Sequence, residues 1–145
     1  MTIEHINIRV PSIIKTQHFL KAAFPDFKVR GSGSSKTYGY WSHIGNDDTY
    51  IALSQSQKPE EEKNTKVTDY QYDDKFRLMH IGYVINDIKS LIQRLSDSGY
   101  SPVDLDDLQS HPHRKRIYYF DGNGVEWEFI EYLSNNKTEK NDYSL

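Results

Sequence analysis

The sequence repeats itself, and the repeat restricts the chain to a fold built from two like halves. Residues 3–10 alternate, with Ile6, Ile8 and Val10 on one side and His5, Asn7 and Arg9 on the other, the period of a half-buried strand. Pro11 ends the run, Ser12 stands where a helix N-cap is expected, and residues 13–24 carry helical spacing until Pro25-Asp26. A short strand is expected over residues 27–30, and Gly31-Ser32-Gly33-Ser34-Ser35 reads as a flexible connection. Residues 37–44 and 49–54 read as two strands joined at Gly45-Asn46-Asp47-Asp48. The same order then returns. Residues 78–85 read as a strand, and Asp87 caps a helix with Ile88, Leu91, Ile92 and Leu95 at helical spacing, closed by Gly99. Residues 100–103 read as a short strand, and residues 114–120 and 125–133 as two strands around Asp121-Gly122-Asn123-Gly124. His80 follows His5 by 75 positions, and Val125-Glu126-Trp127-Glu128-Phe129 follows Thr49-Tyr50-Ile51-Ala52-Leu53 by 76. The predicted class is α+β, with two βαβββ modules. Module one covers about residues 1–56, a linker about 57–76, module two about 77–133, and a polar tail 134–145.

At 145 residues the two halves together make one domain of ordinary size, residues 1–145. Nineteen aromatic residues (Tyr 11, Phe 6, Trp 2) argue against a disordered chain. No apolar run approaches the roughly 20 residues of a spanning helix, so no membrane role is expected. With no cysteine, disulfides, thiolate metal sites and a cysteine nucleophile are excluded. A net charge of −3 gives no electrostatic case for nucleic acid. Met1-Thr2-Ile3-Glu4 runs straight into a strand with no secretory signal, so the cytoplasm is the expected compartment. The linker reads as a solvated connector, although Val67, Tyr70, Tyr72 and Phe76 would allow a flap or a partner contact.

His5 and His80 open equivalent strands, so pseudo-twofold symmetry would bring both to equivalent depths. In the last strand Trp127 and Phe129 share one face, and Glu126 and Glu128 the other. If the aromatic face meets the helices, Glu128 joins the histidines, and two imidazoles with one carboxylate would hold a divalent first-row metal. The bland reading has each histidine hydrogen-bonded at a strand start and Glu128 as an ordinary cavity carboxylate.

Three motifs carry a resemblance. They are Glu4-His5-Ile6-Asn7-Ile8-Arg9-Val10, then His80-Ile81-Gly82-Tyr83-Val84 leading into Asp87-Ile88-Lys89-Ser90-Leu91, and Tyr119-Phe120-Asp121-Gly122-Asn123-Gly124-Val125-Glu126-Trp127-Glu128-Phe129. In this order they resemble the vicinal oxygen chelate superfamily, the glyoxalase, bleomycin-resistance and extradiol dioxygenase fold. The resemblance implies paired half-barrels around one cleft and a homodimer. It implies a divalent metal (Zn, Ni, Mn or Fe) on His5, His80 and Glu128. The family's fourth ligand position falls on Ala52, which cannot coordinate, so a four-ligand glyoxalase I is not expected. What remains is a lyase, dioxygenase or transferase-like enzyme on a small oxygen-bearing substrate. The alternative, which some family members represent, is a metal-free protein that sequesters an antibiotic-like ligand.

Other residues fill lesser roles. Glu126 and His113 are candidate proton carriers, and His113, near Arg114-Lys115-Arg116, would be a shuttle at a cleft mouth. Asn7 and Arg9 share the His5 face and could orient an anionic oxygen. Tyr40 and Tyr50, from a cluster with Tyr38 and Trp41, could stack on a planar ligand. His18 and His43 read as ordinary helix and strand-end histidines.

Overall fold

A computed structural model describes residues 3–36, 39–56 and 78–144. The expected linker over 57–76 and Tyr38 lie outside the described residues. The chain divides into two compact units, Met1–Tyr70 and Gln71–Leu145.

In the first unit, β1 (His5–Arg9), α1 (Ile13–Ala23), β2 (Lys28–Ser35), β3 (Gly39–Gly45) and β4 (Tyr50–Gln55) follow one another. The sheet order is β1-β4-β3-β2, with β1 parallel to β4 and the other pairs antiparallel. Strand alternation sends Ile44, Ile51 and Leu53 to the side of the sheet where α1 packs, and all three are buried with Phe19 and Leu20 of the helix. Ser12 occupies the N-cap position, but its side chain makes no capping bond. Gln55 takes that part instead: its Oε1 accepts the Ile13 N–H at 2.8 Å, tying the helix start to β4.

The Gly-Ser run departs from expectation. Residues 31–35 are not a flexible connection but the continuation of β2, after a register shift between Val29 and Gly31. Gly33 pairs with Trp41, and a Cβ on Gly33 would stand 3.0 Å from the indole Cζ2. The glycines leave room for an indole laid over the strand, and that cover replaces the side-chain packing they lack.

In the second unit, β5 (His80–Val84), α2 (Ile88–Asp97), β6 (Arg114–Phe120) and β7 (Glu126–Tyr132) make a three-stranded sheet ordered β5-β7-β6, with β5 parallel to β7. The amphipathic stripe of α2 buries Ile88, Leu91 and Leu95, and Asp87 caps it through Ser90 N–H at 3.1 Å. That bond and one from the Ser90 hydroxyl hold the Asp87 carboxyl below its usual range. Trp127 and Phe129 are fully buried on the face toward α2, each contributing about 2–3 kcal/mol of apolar burial. The strand expected over residues 100–103 is reduced to a single bridge, Pro102 to Tyr119. Proline has no N–H to extend a ladder. Within the polar tail, Lys137–Lys140 forms α3, one helical turn. No described helix is long and apolar enough to cross a membrane.

Gly45 closes the β3–β4 hairpin so tightly that a Cβ there would stand 2.1 Å from the Thr49 carbonyl oxygen. Gly45→Ala should therefore destabilise by about 1–3 kcal/mol. Gly31→Ala, whose Cβ would meet Trp41 at an ordinary 3.8 Å, should stay near the parent. Urea denaturation midpoints of the two variants check this.

Candidate functional site

Strand register assembles a polar cluster in the second unit. β5 pairs with β7 so that His80 stands opposite Glu126 and Gly82 opposite Glu128. β6 brings Tyr118 opposite Glu128. All lie on the face turned away from Trp127 and Phe129. The Tyr118 hydroxyl donates to Glu128 Oε1 at 2.7 Å, leaving Oε2 at 3.2 Å from His80 Nε2. Glu126, only 4% exposed, sets its Oε2 3.8 Å from the other ring nitrogen, Nδ1. The imidazole is thus flanked on both sides by carboxylates, yet remains 41% exposed. Gly82 gives the carboxylate its place, since a Cβ there would already touch Glu128 Oε2 at 3.4 Å.

Burial, reinforced by the Glu128 carboxylate that accepts its proton, pushes the Tyr118 phenol far above its usual range. Tyr118 therefore acts as a fixed donor. Because the two glutamates approach opposite nitrogens, this cluster offers one ion two donors, His80 Nε2 and Glu128. Among the described residues no three His, Asp or Glu side chains are gathered as a metal-binding group.

The equivalent face of the first unit is aromatic. His5 stands opposite Tyr50 as His80 stands opposite Glu126, and Asn7 opposite Ala52 as Gly82 opposite Glu128. The His5 ring stacks on Tyr50 with centroids 4.7 Å apart and planes within 16°. The row continues from Tyr50 to His43 at 4.8 Å and from His43 to Trp41 at 5.0 Å. The Arg30 guanidinium lies 4.6 Å above the Tyr50 ring. Desolvation, then the nearby Glu4, raise the Tyr50 phenol against the opposing charge of Arg30.

Within each unit, some of the expected site residues meet and others do not. His80, Glu126 and Glu128 come together in the second unit. His5, Asn7, Arg9 and Tyr50 share one face of the first, with Asn7 and Arg9 exposed. Tyr40 does not join Tyr50: it pairs with Gln55, which puts it on the opposite, α1-facing side of the sheet. The structure also separates His113 from the His80 cluster. Its ring lies 3.7 Å from Glu139 of α3, and its backbone N–H donates to His111 Nδ1 at 3.1 Å. It belongs to the tail contact. Tyr118 and Arg30 escape the sequence reading, and His43, expected as an ordinary strand-end histidine, joins the aromatic row. Hairpin register carries the signal for Tyr118 and His43, since counting outward from each turn sets Tyr118 against Glu128 and His43 against Ala52.

The description of one protein family, the Glyoxalase/Bleomycin resistance protein/Dioxygenase superfamily, matches residues 2–129. The chain belongs to that superfamily. Its two modules, one sheet of four strands and one of three, are of the glyoxalase-like α+β class. Among solved structures, it is similar to a glyoxalase family protein from Enterococcus faecalis (18% identity, 90% of this chain and 97% of that one, TM-score 0.67). It is also similar to the fosfomycin resistance protein FosX from Mesorhizobium loti (15% identity, 96% and 95% covered, TM-score 0.63). A third relative in fold is FosX from Listeria monocytogenes, solved in complex with Mn(II) and a sulfate ion (16% identity, 96% of each chain, TM-score 0.60). Comparison with curated proteins found no match.

Tyr118 in the folded chain keeps its proton well above the ordinary 10.0, and burial pushes Tyr83 up to about 12. The unfolded chain releases these protons first, so their stabilisation is complete below about pH 10 and is lost as pH rises through the folded values. The urea midpoint of the parent should therefore fall from about pH 10 upward, and fall less steeply in Tyr118→Phe.

Proposed function

We propose that the chain is a divalent-metal-dependent enzyme acting on a small oxygen-bearing substrate, with His80, Glu128 and His5 as its metal ligands. The observation that carries this reading is the 3.2 Å separation of His80 Nε2 and Glu128 Oε2 on the open face of their sheet. Two donors each about 2.1 Å from one ion stand about 3.0–3.4 Å apart in octahedral or tetrahedral geometry. Imidazole and carboxylate, in a chain with no thiolate, suit Mn, Fe, Ni or Zn. His5 enters through the repeat, because its register against Tyr50 matches that of His80 against Glu126. The Mn(II) bound by Listeria FosX, a protein of similar fold, favours the same class of cofactor.

A bound metal would polarise a substrate oxygen and stabilise negative charge developing on it. The chain's own residues do the rest. Glu126, beside Nδ1, favours the tautomer with its proton on that nitrogen and leaves the Nε2 lone pair free. Tyr118 fixes the orientation of Glu128. Asn7, Arg9 and the row from His5 to Trp41, with Arg30, form the recognition surface for a flat or anionic substrate. The reaction is of lyase, dioxygenase or transferase type, and Ala52 sets it apart from a four-ligand glyoxalase I. A homodimer belongs to this reading, and light scattering on the purified chain checks it.

The aromatic row also favours a second reading, a metal-free protein that sequesters an aromatic ligand. Elemental analysis separates the two. The parent should carry close to one divalent ion per chain, with His5→Ala, His80→Ala and Glu128→Gln losing it. Tyr118→Phe should weaken metal affinity by about 10–100-fold through the ligand it orients. Metal content unchanged in His5→Ala and His80→Ala would overturn the leading reading. Aromatic ligand binding that survives a chelator in full would support the second.

A further inference from the structure

The α1-facing side of the first sheet carries a cavity of its own. It is open to solvent, has a volume of about 560 Å³ and lies beside α1, with walls from β2, β3 and the end of β4, a size that suits a small organic ligand. His5, Asn7, Arg9 and Tyr50 belong to the opposite face, so this is not the site described above. None of its eleven lining residues is charged, although charged residues make up 27% of the chain. A charged ligand would find no counter-charge there. Tyr40 (51% exposed) supplies aromatic surface, and Ile13, Ile14 and Val29 supply aliphatic surface.

Two glutamines give the cavity its polarity, and internal bonds fix which way each points its amide. Gln55 spends Oε1 on the Ile13 N–H at 2.8 Å, so the amide end that remains is the donor Nε2. The buried Ser42 hydroxyl donates its proton to the Gly31 carbonyl at 3.3 Å. Ser42 Oγ must therefore accept from Gln17 Nε2, which it does at 2.7 Å. The end of Gln17 that remains is the acceptor Oε1. Neither remaining end has a partner among the described residues. Gln55 is tied to the N–H of Ile13, and Gln17 stands one helical turn further along α1, so both amides border the cavity beside the same helix.

We infer that this cavity binds a small, flat, uncharged ring compound that carries both a hydrogen-bond donor and a hydrogen-bond acceptor. The donor meets Gln17 Oε1, the acceptor meets Gln55 Nε2, and the ring lies against Tyr40. The metal reading plays no part in this binding, and a chelator should leave it unchanged.

Unsubstituted 4-quinolone, with one ring N–H donor and one carbonyl acceptor, is a suitable probe, and its N-methyl derivative lacks the donor. Titration calorimetry on the full chain should show saturable binding of the quinolone, weakened about fivefold by N-methylation. Ile14 is 70% exposed and lies in the first turn of α1, where a carboxylate is compatible with the helix dipole. Ile14→Glu should therefore fold normally and bind the probe at least about tenfold more weakly, from a charge set in an uncharged cavity. Gln17→Leu should abolish discrimination between quinolone and its N-methyl derivative. Absence of saturable binding, equal affinity for the two compounds, or undiminished binding to Ile14→Glu would each overturn the inference.

Discussion

Parallel pairing between the first and last strands of each module is the constraint on which the rest of the structure depends. A parallel pair cannot be closed by a tight turn, so a helix and the intervening chain must cross over before the last strand arrives. That strand then lies between the first strand and its own hairpin partner, as β4 and β7 do. Every side chain on its outer face is flanked on both sides. Glu128 meets Gly82 on one side and Tyr118 on the other, and Ala52 meets Asn7 and His43. The chemistry of each face is written across three strands at one level.

The two modules fill that level in opposite ways. In the first, the edge strand brings the larger residue, Asn7, and the central strand the smaller, Ala52; in the second, Gly82 is the small one and Glu128 the large. The exchange keeps the pair near constant in bulk while moving the functional group from one strand to the other. Around it, the second module gathers ionisable groups, and the first stacks rings. A duplicated fold can divide labour this way because the backbone register is preserved while side chains diverge.

Much of this was readable from residue order. The repeat, both helices, the two module-ending hairpins and the meeting of His80 with Glu126 and Glu128 all follow from periodicity, since alternation fixes faces. The misreadings have tertiary causes. Gly31 to Ser35 lacks local strand propensity, and it becomes a strand because Trp41, paired opposite, covers it. Residues 100–103 have the apolar character of a strand, but Pro102 cannot donate to a neighbour. Tyr40 was set beside Tyr50 on aromatic character alone, whereas the register puts the two on opposite sides. The capping of α1 from Gln55, 42 residues away, has no local trace at all.

The two tryptophans, Trp41 half-buried in the first unit and Trp127 wholly buried in the second, give the molecule a built-in pair of optical reporters. The indole over Gly33 belongs to the aromatic row, and its emission is sensitive to whatever enters there. The other, shielded under α2, responds to loss of packing in its own core. Events at the surface of one half and unfolding of the other are thereby separable by colour in a single emission spectrum.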